Sequence, residues 1–107
     1  MSDGRILVTG AAGLIGFTLA ARLHAGGRPV IGMDQVAPAE AHDFPFIAAD
    51  LGDVHKLYQA LDQGVEGIIH CGAVSGPMLL LDNPRSIVQS NIMGSANILE
   101  AARQRDL

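Results

Sequence analysis

Apolar and polar positions alternate along this chain in blocks whose period switches between that of a strand and that of a helix. Residues 5–9 (RILVT) form a short apolar, β-branched run stopped by Gly10, which predicts a buried strand. Helical spacing follows, with Ile15, Leu19 and Leu23 on one face, Phe17, Ala20 and Ala21 beside them, and Gly26-Gly27 as the terminating cap. Residues 29–34 (PVIGMD) predict a second strand, closed by a polar connection containing Pro38, Glu40, His42 and Asp43. Residues 44–50 (FPFIAAD) read as a weaker third strand, with Pro45 near its start, where a missing amide does least harm. Asp53 is placed to cap a helix running to about Gln63, with Val54, Leu57 and Leu61 apolar and Gly64 as its stop. Residues 65–71 (VEGIIHC) predict a fourth strand, followed by the small-residue loop GAVSGP. A last helix, capped by Asn83 ahead of Pro84, runs to about Arg105.

Strands alternating with helices imply right-handed crossovers and an α/β fold, a parallel sheet of about four strands covered on both sides. No internal repeat, low-complexity tract or linker interrupts the 107 residues, and they are expected to be one domain. By the same alternation a further strand should follow the last helix, so the domain is expected to be an incomplete half of a larger one. That helix carries two apolar faces, Val88, Ile92, Leu99 and Ala102 on one, and Ile87, Ile98 and Ala101 near Asn91 and Gly94 on the other. A helix covering one side of a sheet should be polar on its outer side. The second face therefore predicts another surface there, from the rest of a longer chain or from a second subunit, and a homo-oligomer formed through the last helix is the expectation.

Composition narrows the partners. Seven Lys+Arg against eleven Asp+Glu give a net charge of −4, without the basic footprint that nucleic acid or an anionic membrane surface would need. Aromatic residues make up 4% of the chain, so the core must be built from Val, Ile, Leu and Ala, a palette suited to a parallel sheet buried on both faces. Residues 6–21 carry no charge, yet they are too short for a membrane span and are interrupted by Gly10, Gly13 and Gly16. The single cysteine, Cys71, forms no internal disulfide, and the wide spacing of His24, His42 and His55 suits no metal site. A reducing cytoplasm is the expected compartment.

The segment Thr9-Gly10-Ala11-Ala12-Gly13-Leu14-Ile15-Gly16 carries the chemistry. Gly10 permits the tight turn out of the strand. Gly13 lacks a Cβ and lets the backbone approach a pyrophosphate, and Gly16 lets the helix pack close to the strand. Amides around Gly13, Leu14 and Ile15 then face the dianion with the helix dipole behind them. Phe17-Thr18 follows Gly16 where a Walker-type loop needs Lys-Ser/Thr, which excludes an ATPase of that kind. Asp34 ends the second strand 18 residues past Gly16, close to the spacing at which a dinucleotide fingerprint places its ribose-binding carboxylate. Its charge would repel a 2′-phosphate, and neither Ala11, Ala12 nor Gln35 supplies a neutralising arginine, so NAD is expected over NADP. The fold expected is therefore a Rossmann-type doubly wound sheet.

TGAAGLIG, Asp34, the pair Asp50-Leu51, the strand end His70-Cys71-Gly72-Ala73 and the helix run from Asn91 to Arg103 (NIMGSANILEAAR) together resemble the NAD-dependent epimerase/dehydratase family of extended short-chain dehydrogenases. Nearly all of the chain takes part in the resemblance. It implies hydride transfer to and from nicotinamide on a sugar or nucleotide sugar. By position it implies that Gly10, Ala12, Gly13, Leu14, Ile15 and Gly16 form the cofactor turn and that Asp50 and Leu51 contact the adenine. Cys71, Gly72 and Ala73 would pass beneath the pyrophosphate and nicotinamide ribose. Asn91 would stand near the nicotinamide, Ser75 would face substrate, and Ser95 would replace the usual threonine.

In that family a Tyr-x-x-x-Lys pair performs the acid/base work. The only tyrosine here, Tyr58, is followed four residues on by Asp62, so no catalytic residue is assigned within the chain. His70 reads as a hydrogen-bonded core histidine rather than a substitute base. The alternatives are a dinucleotide-binding or sensing module without chemistry, and a protein that keeps the glycine turn for structure and binds another partner, such as a nucleotide or a second subunit.

Overall fold

The structure, a computed structural model, describes residues 4–72, Arg85 and residues 89–107. Expectations for Ala73, Ser75, the Asn83-Pro84 cap, Ile87 and Val88 fall outside the described residues. Four strands, β1 (Arg5–Thr9), β2 (Val30–Asp34), β3 (Phe46–Ala48) and β4 (Val65–His70), make one sheet in the order β3-β2-β1-β4, every pair parallel. The helices are α1 (Leu14–Ala25), α2 (Val54–Leu61) and α3 (Gly94–Gln104), the last preceded by a π-helical turn, Gln89–Met93. The chain steps outward from β1 through β2 to β3 and then returns to the far side of β1. The strand order therefore reverses beside β1, the point where open α/β sheets bind ligands.

Alternation along the strands divides the core. Leu7, Ile31 and Met33 face one layer with Leu57, Ala60 and Leu61 of α2 and Ile98 and Ala101 of α3. Val8 and Val30 face the other layer with Ala11, Ala20 of α1 and Phe44. Successive residues of one strand are thus buried on opposite sides, which explains the unbroken apolar runs. The doubly wound parallel sheet is as expected.

Three local expectations shift. The third strand is three residues long instead of seven. Pro45 cannot donate, and only its carbonyl joins the ladder, accepting from Gly32 N at 2.8 Å. Phe44 buries its ring in the α1 layer, and Asp50 turns away to hold a loop, its Oδ1 accepting from Gly52 N at 2.9 Å. On α1 the buried positions are Gly16 and Ala20, and Ile15, expected on the core face, is 73% exposed. Close approach of this helix to the sheet demands small residues, which rotates the larger Ile15 outward over the strand ends. On α3, Gly94, Ile98 and Ala101 are buried, while Leu99 faces solvent together with Ile92 and Met93 of the preceding π-helical turn. The expected cap of α2 is in place, Asp53 Oδ1 accepting from Lys56 N at 3.2 Å.

Candidate functional site

The turn between β1 and α1 contains three glycines that the fold treats differently. Gly10 has φ +68°, and a Cβ there would lie 2.5 Å from the Cys71 carbonyl oxygen, so both conformation and the neighbouring strand end require glycine. A Cβ on Gly16 would lie 2.1 Å from the Gly10 carbonyl oxygen. Gly13 is different. Its backbone is extended (φ −84°, ψ 170°), and the nearest atom to an added Cβ is the Gly10 carbonyl oxygen at 3.4 Å, an ordinary contact. Among the described residues nothing demands glycine at this position.

Gly13 is also the N-cap of α1. Among the described residues no side chain caps the helix there, no acidic residue occupies its first turn, and the Gly13 amide itself donates to Gly10 O at 3.0 Å, which leaves the amides of Leu14 and Ile15 facing outward. The first amides of any helix lack partners within it, and the dipole adds roughly half a positive charge at that end. Leu14 and Ile15, 87% and 73% exposed, flank these amides with bare apolar surface. Beside them a cleft of about 400 Å³ opens, lined by Ala12, Gly13, Leu14, Thr18, Arg22 and Glu40.

Asp34 closes the second side. Its Oδ2 accepts from Ala12 N at 3.0 Å and its Oδ1 from Gln35 N at 2.7 Å, so the carboxylate bends over the glycine turn from the end of β2. Each carboxylate oxygen has a further lone pair available to a ligand hydroxyl. The third side is the end of β4. Cys71 N donates to Thr9 O (3.2 Å), and Gly72 N donates to the buried Thr9 Oγ1 (3.0 Å). Leu51 reaches the same place, its Cδ1 3.3 Å from where a Gly72 Cβ would stand. The structure thus brings together Gly10, Ala12, Gly13, Leu14, Ile15, Gly16, Asp34, Leu51, Cys71 and Gly72. Asp50 stands exposed next to Leu51, and Asn91 lies half-buried in the π-helical turn one turn ahead of Ser95.

Four residues that support this crevice were not singled out from sequence as cofactor contacts. Thr9 carries Gly72, and Asn97 Nδ2 donates to Leu51 O at 2.9 Å, tying the loop after β3 to α3. His70 is hydrogen-bonded, as expected, but half-buried rather than part of the core. Its Nδ1 lies 2.6 Å from Thr9 Oγ1 and its Nε2 3.0 Å from Ser95 Oγ, and burial pushes its pKa below the ordinary value. The signal for Thr9 and His70 was a polar residue at the end of each of two neighbouring apolar strands. Tyr58 instead packs against the core from α2, with the Arg105 guanidinium 4.7 Å over its ring. Among the described residues no helix is long and apolar enough to cross a membrane, and no three His, Cys, Asp or Glu side chains gather as a metal site.

This donor set suits a dinucleotide: uncapped amides and a vacant Cβ position for a pyrophosphate, an acidic group for a ribose, and apolar rims for the flanking rings. Comparison with known proteins agrees. A probable UDP-glucuronate 4-epimerase of Rhizobium meliloti is 35% identical over 114 residues, covering 92% of this chain and 33% of that protein. A UDP-glucose 4-epimerase of Mycolicibacterium smegmatis is 34% identical, covering 92% and 34% respectively. The solved structure of Thermus thermophilus UDP-glucose 4-epimerase in complex with NAD superposes with a TM-score of 0.83 at 30% identity, over 95% of this chain and 34% of that one. The chain therefore spans about a third of the length of the relatives it matches. The family model of the NAD-dependent epimerases and dehydratases matches residues 6–107. The chain belongs to the NAD-dependent epimerase/dehydratase family.

Proposed function

We propose that residues 1–107 are the NAD-binding part of a sugar or sugar-nucleotide epimerase, dehydratase or dehydrogenase working in the cytoplasm. The observation that carries this reading is Gly13, whose bare position at a helix start is unexplained by packing among the described residues and is explained by a pyrophosphate lying against it. The Gly13 amide is spent inside the turn on Gly10 O, so the amides of Leu14 and Ile15 would bind the pyrophosphate, and Asp34 would accept from the adenosine ribose hydroxyls and repel a 2′-phosphate. Asp50 and Leu51 would border the adenine. Cys71, Gly72 and Ala73 would underlie the pyrophosphate and nicotinamide ribose, with Asn91 near the nicotinamide and Ser75 towards substrate. Bound there, NAD supplies a hydride acceptor and donor at nicotinamide C4.

Tyr58 is held in the α2 layer, so the acid/base pair of the reaction would come from outside these residues. The second reading, a dinucleotide-binding module without chemistry, shares all the contacts above. The uronate dehydrogenase of Agrobacterium tumefaciens (TM-score 0.74, 32% identity, solved with NAD) supports the enzyme. The apolar strip formed by Ile92 and Met93 of the π-helical turn and Leu99 of α3 supports a homo-oligomer formed through the last helix.

Calorimetric titration of the purified protein with NAD and with NADP tests the cofactor assignment. Saturable binding with NAD the tighter ligand is expected, and a folded protein that binds neither contradicts it. A hydride-transfer assay with nucleotide sugars separates the enzyme from the module.

A further inference from the structure

His70 lies outside the set of groups that would touch the cofactor, yet it is the centre of a hydrogen-bond chain linking three elements: Thr9 Oγ1 of β1 at 2.6 Å from Nδ1, and Ser95 Oγ of α3 at 3.0 Å from Nε2. The chain continues to the crevice, because the same Thr9 hydroxyl accepts from Gly72 N at 3.0 Å. Thr9 is 1% exposed, so its hydroxyl proton needs a protein acceptor. A threonine hydroxyl donates one hydrogen and accepts at two lone pairs. With one lone pair taken by Gly72 N–H, the hydroxyl hydrogen is left to point at His70 Nδ1. That requires Nδ1 to be bare, which puts the ring's one proton on Nε2, where Ser95 Oγ accepts it.

We propose that His70 is a positioning residue for the cofactor crevice: neutral and protonated at Nε2, it takes the Thr9 hydroxyl proton at Nδ1 and so fixes that hydroxyl as the acceptor that holds Gly72 against the glycine turn. The inference rests on the crevice being the NAD site, but the hydrogen-bond chain is testable without the cofactor. A protonated ring would donate from both nitrogens and leave the Thr9 hydroxyl hydrogen with no acceptor in a closed space. Among the described residues, the groups hydrogen-bonded to His70 are hydroxyls, and the charged residues of β1, β4 and α3 are engaged elsewhere: Arg5 of β1 with Gln63, Glu66 of β4 with Arg28, and Glu100 with Arg103 on α3. Burial is accordingly the cause of its lowered pKa.

The two sides of the ring can be separated by substitution. In H70N the amide sits near the Nδ1 position and can accept from Thr9, whereas in H70Q it reaches towards Ser95 and abandons Thr9. Amide hydrogen exchange at Gly72 is read in the whole protein without NAD. It should stay near the wild-type rate in H70N and rise about tenfold in H70Q and T9V, as loss of one buried hydrogen bond implies. Long-range nitrogen NMR of the unsubstituted protein provides a measurement that no folding defect can obscure, and it should find Nδ1 bare and Nε2 protonated. A proton on Nδ1, or equal Gly72 exchange in H70N and H70Q, overturns the proposal. A bare Nδ1 and a protected Gly72 amide in a protein that fails to bind NAD would uphold the hydrogen-bond chain and overturn the cofactor reading alone.

Discussion

Gly13 and Gly16 stand three residues apart in one turn and should respond to the same substitution in opposite ways. Gly16→Ala forces a Cβ to 2.1 Å from a backbone oxygen that cannot swing aside, and melting should show a loss of about 1–3 kcal/mol. Gly13→Ala meets only an ordinary contact in a backbone conformation alanine adopts freely, so stability should hold or rise by roughly 0.4–1 kcal/mol. NAD affinity, measured on the same sample, should nevertheless fall by about tenfold or more, equivalent to about 1.4 kcal/mol. Asp34→Asn should keep an acceptor for Ala12 N while removing the charge. NAD binding should weaken about tenfold, the scale of one hydrogen bond to a charged group, and the preference over NADP should shrink, as paired titrations would show. The glycine turn and the strand-end aspartate were legible in the sequence because glycine spacing and a carboxylate at a strand end are local signals. The exposure of Ile15 was not, since the helical period gives the spacing of a face but not which way it turns. That was decided by Gly16 and Ala20 letting the helix sit close to the sheet.

Among the elements, β4 and α3 are joined to the crevice by side chains whose partners are distant in sequence. Thr9 meets His70 across 61 residues and Asn97 meets Leu51 across 46, so no window of sequence displays either pair. The strands and helices themselves were readable, apart from their ends. The third strand was shortened by Pro45 and by Asp50 turning to its own loop. The π-helical turn before α3 carries no periodic signature that marks it off from an α-helix. Asn97→Ala should cost about 1 kcal/mol in denaturant unfolding, the worth of one hydrogen bond, and should loosen the Leu51 loop. His70 gives this part of the fold a pH dependence. Its folded pKa lies below the ordinary 6.5, so as pH falls through 6.5 the unfolded chain takes up a proton that the folded chain does not. The stabilising contribution of the neutral ring is fully present above pH 6.5 and is lost progressively as pH falls towards the folded value. Melting temperatures across that window should decline more steeply in the wild-type protein than in H70N.

At the level of the whole molecule, the strand order β3-β2-β1-β4 puts the ends of β1, β2 and β4 around one crevice, which no single segment could form. The parallel, doubly wound plan followed from the strand–helix alternation, and the reversal beside β1 follows from which strands pair. Burial of α3 was legible only in part. Ile98 and Ala101 reach the core through α2, but Ile92, Met93 and Leu99 lie open, and sequence alone made both faces equal. If that strip pairs with a second copy, light scattering on a size-exclusion column should find a dimer or higher assembly that Leu99→Glu reduces to monomer. A wild-type monomer at every concentration argues against an interface there.

The central claim is that the turn between β1 and α1 holds a dinucleotide, with Asp34 gripping its ribose. A crystal structure of the protein grown with NAD measures this most directly. The pyrophosphate oxygens should lie within hydrogen-bond distance of the Leu14 and Ile15 amides, above the bare Gly13 Cα, with an Asp34 carboxylate oxygen on the adenosine ribose. Dinucleotide bound at another surface, or bound here with Asp34 turned away to solvent, would contradict it.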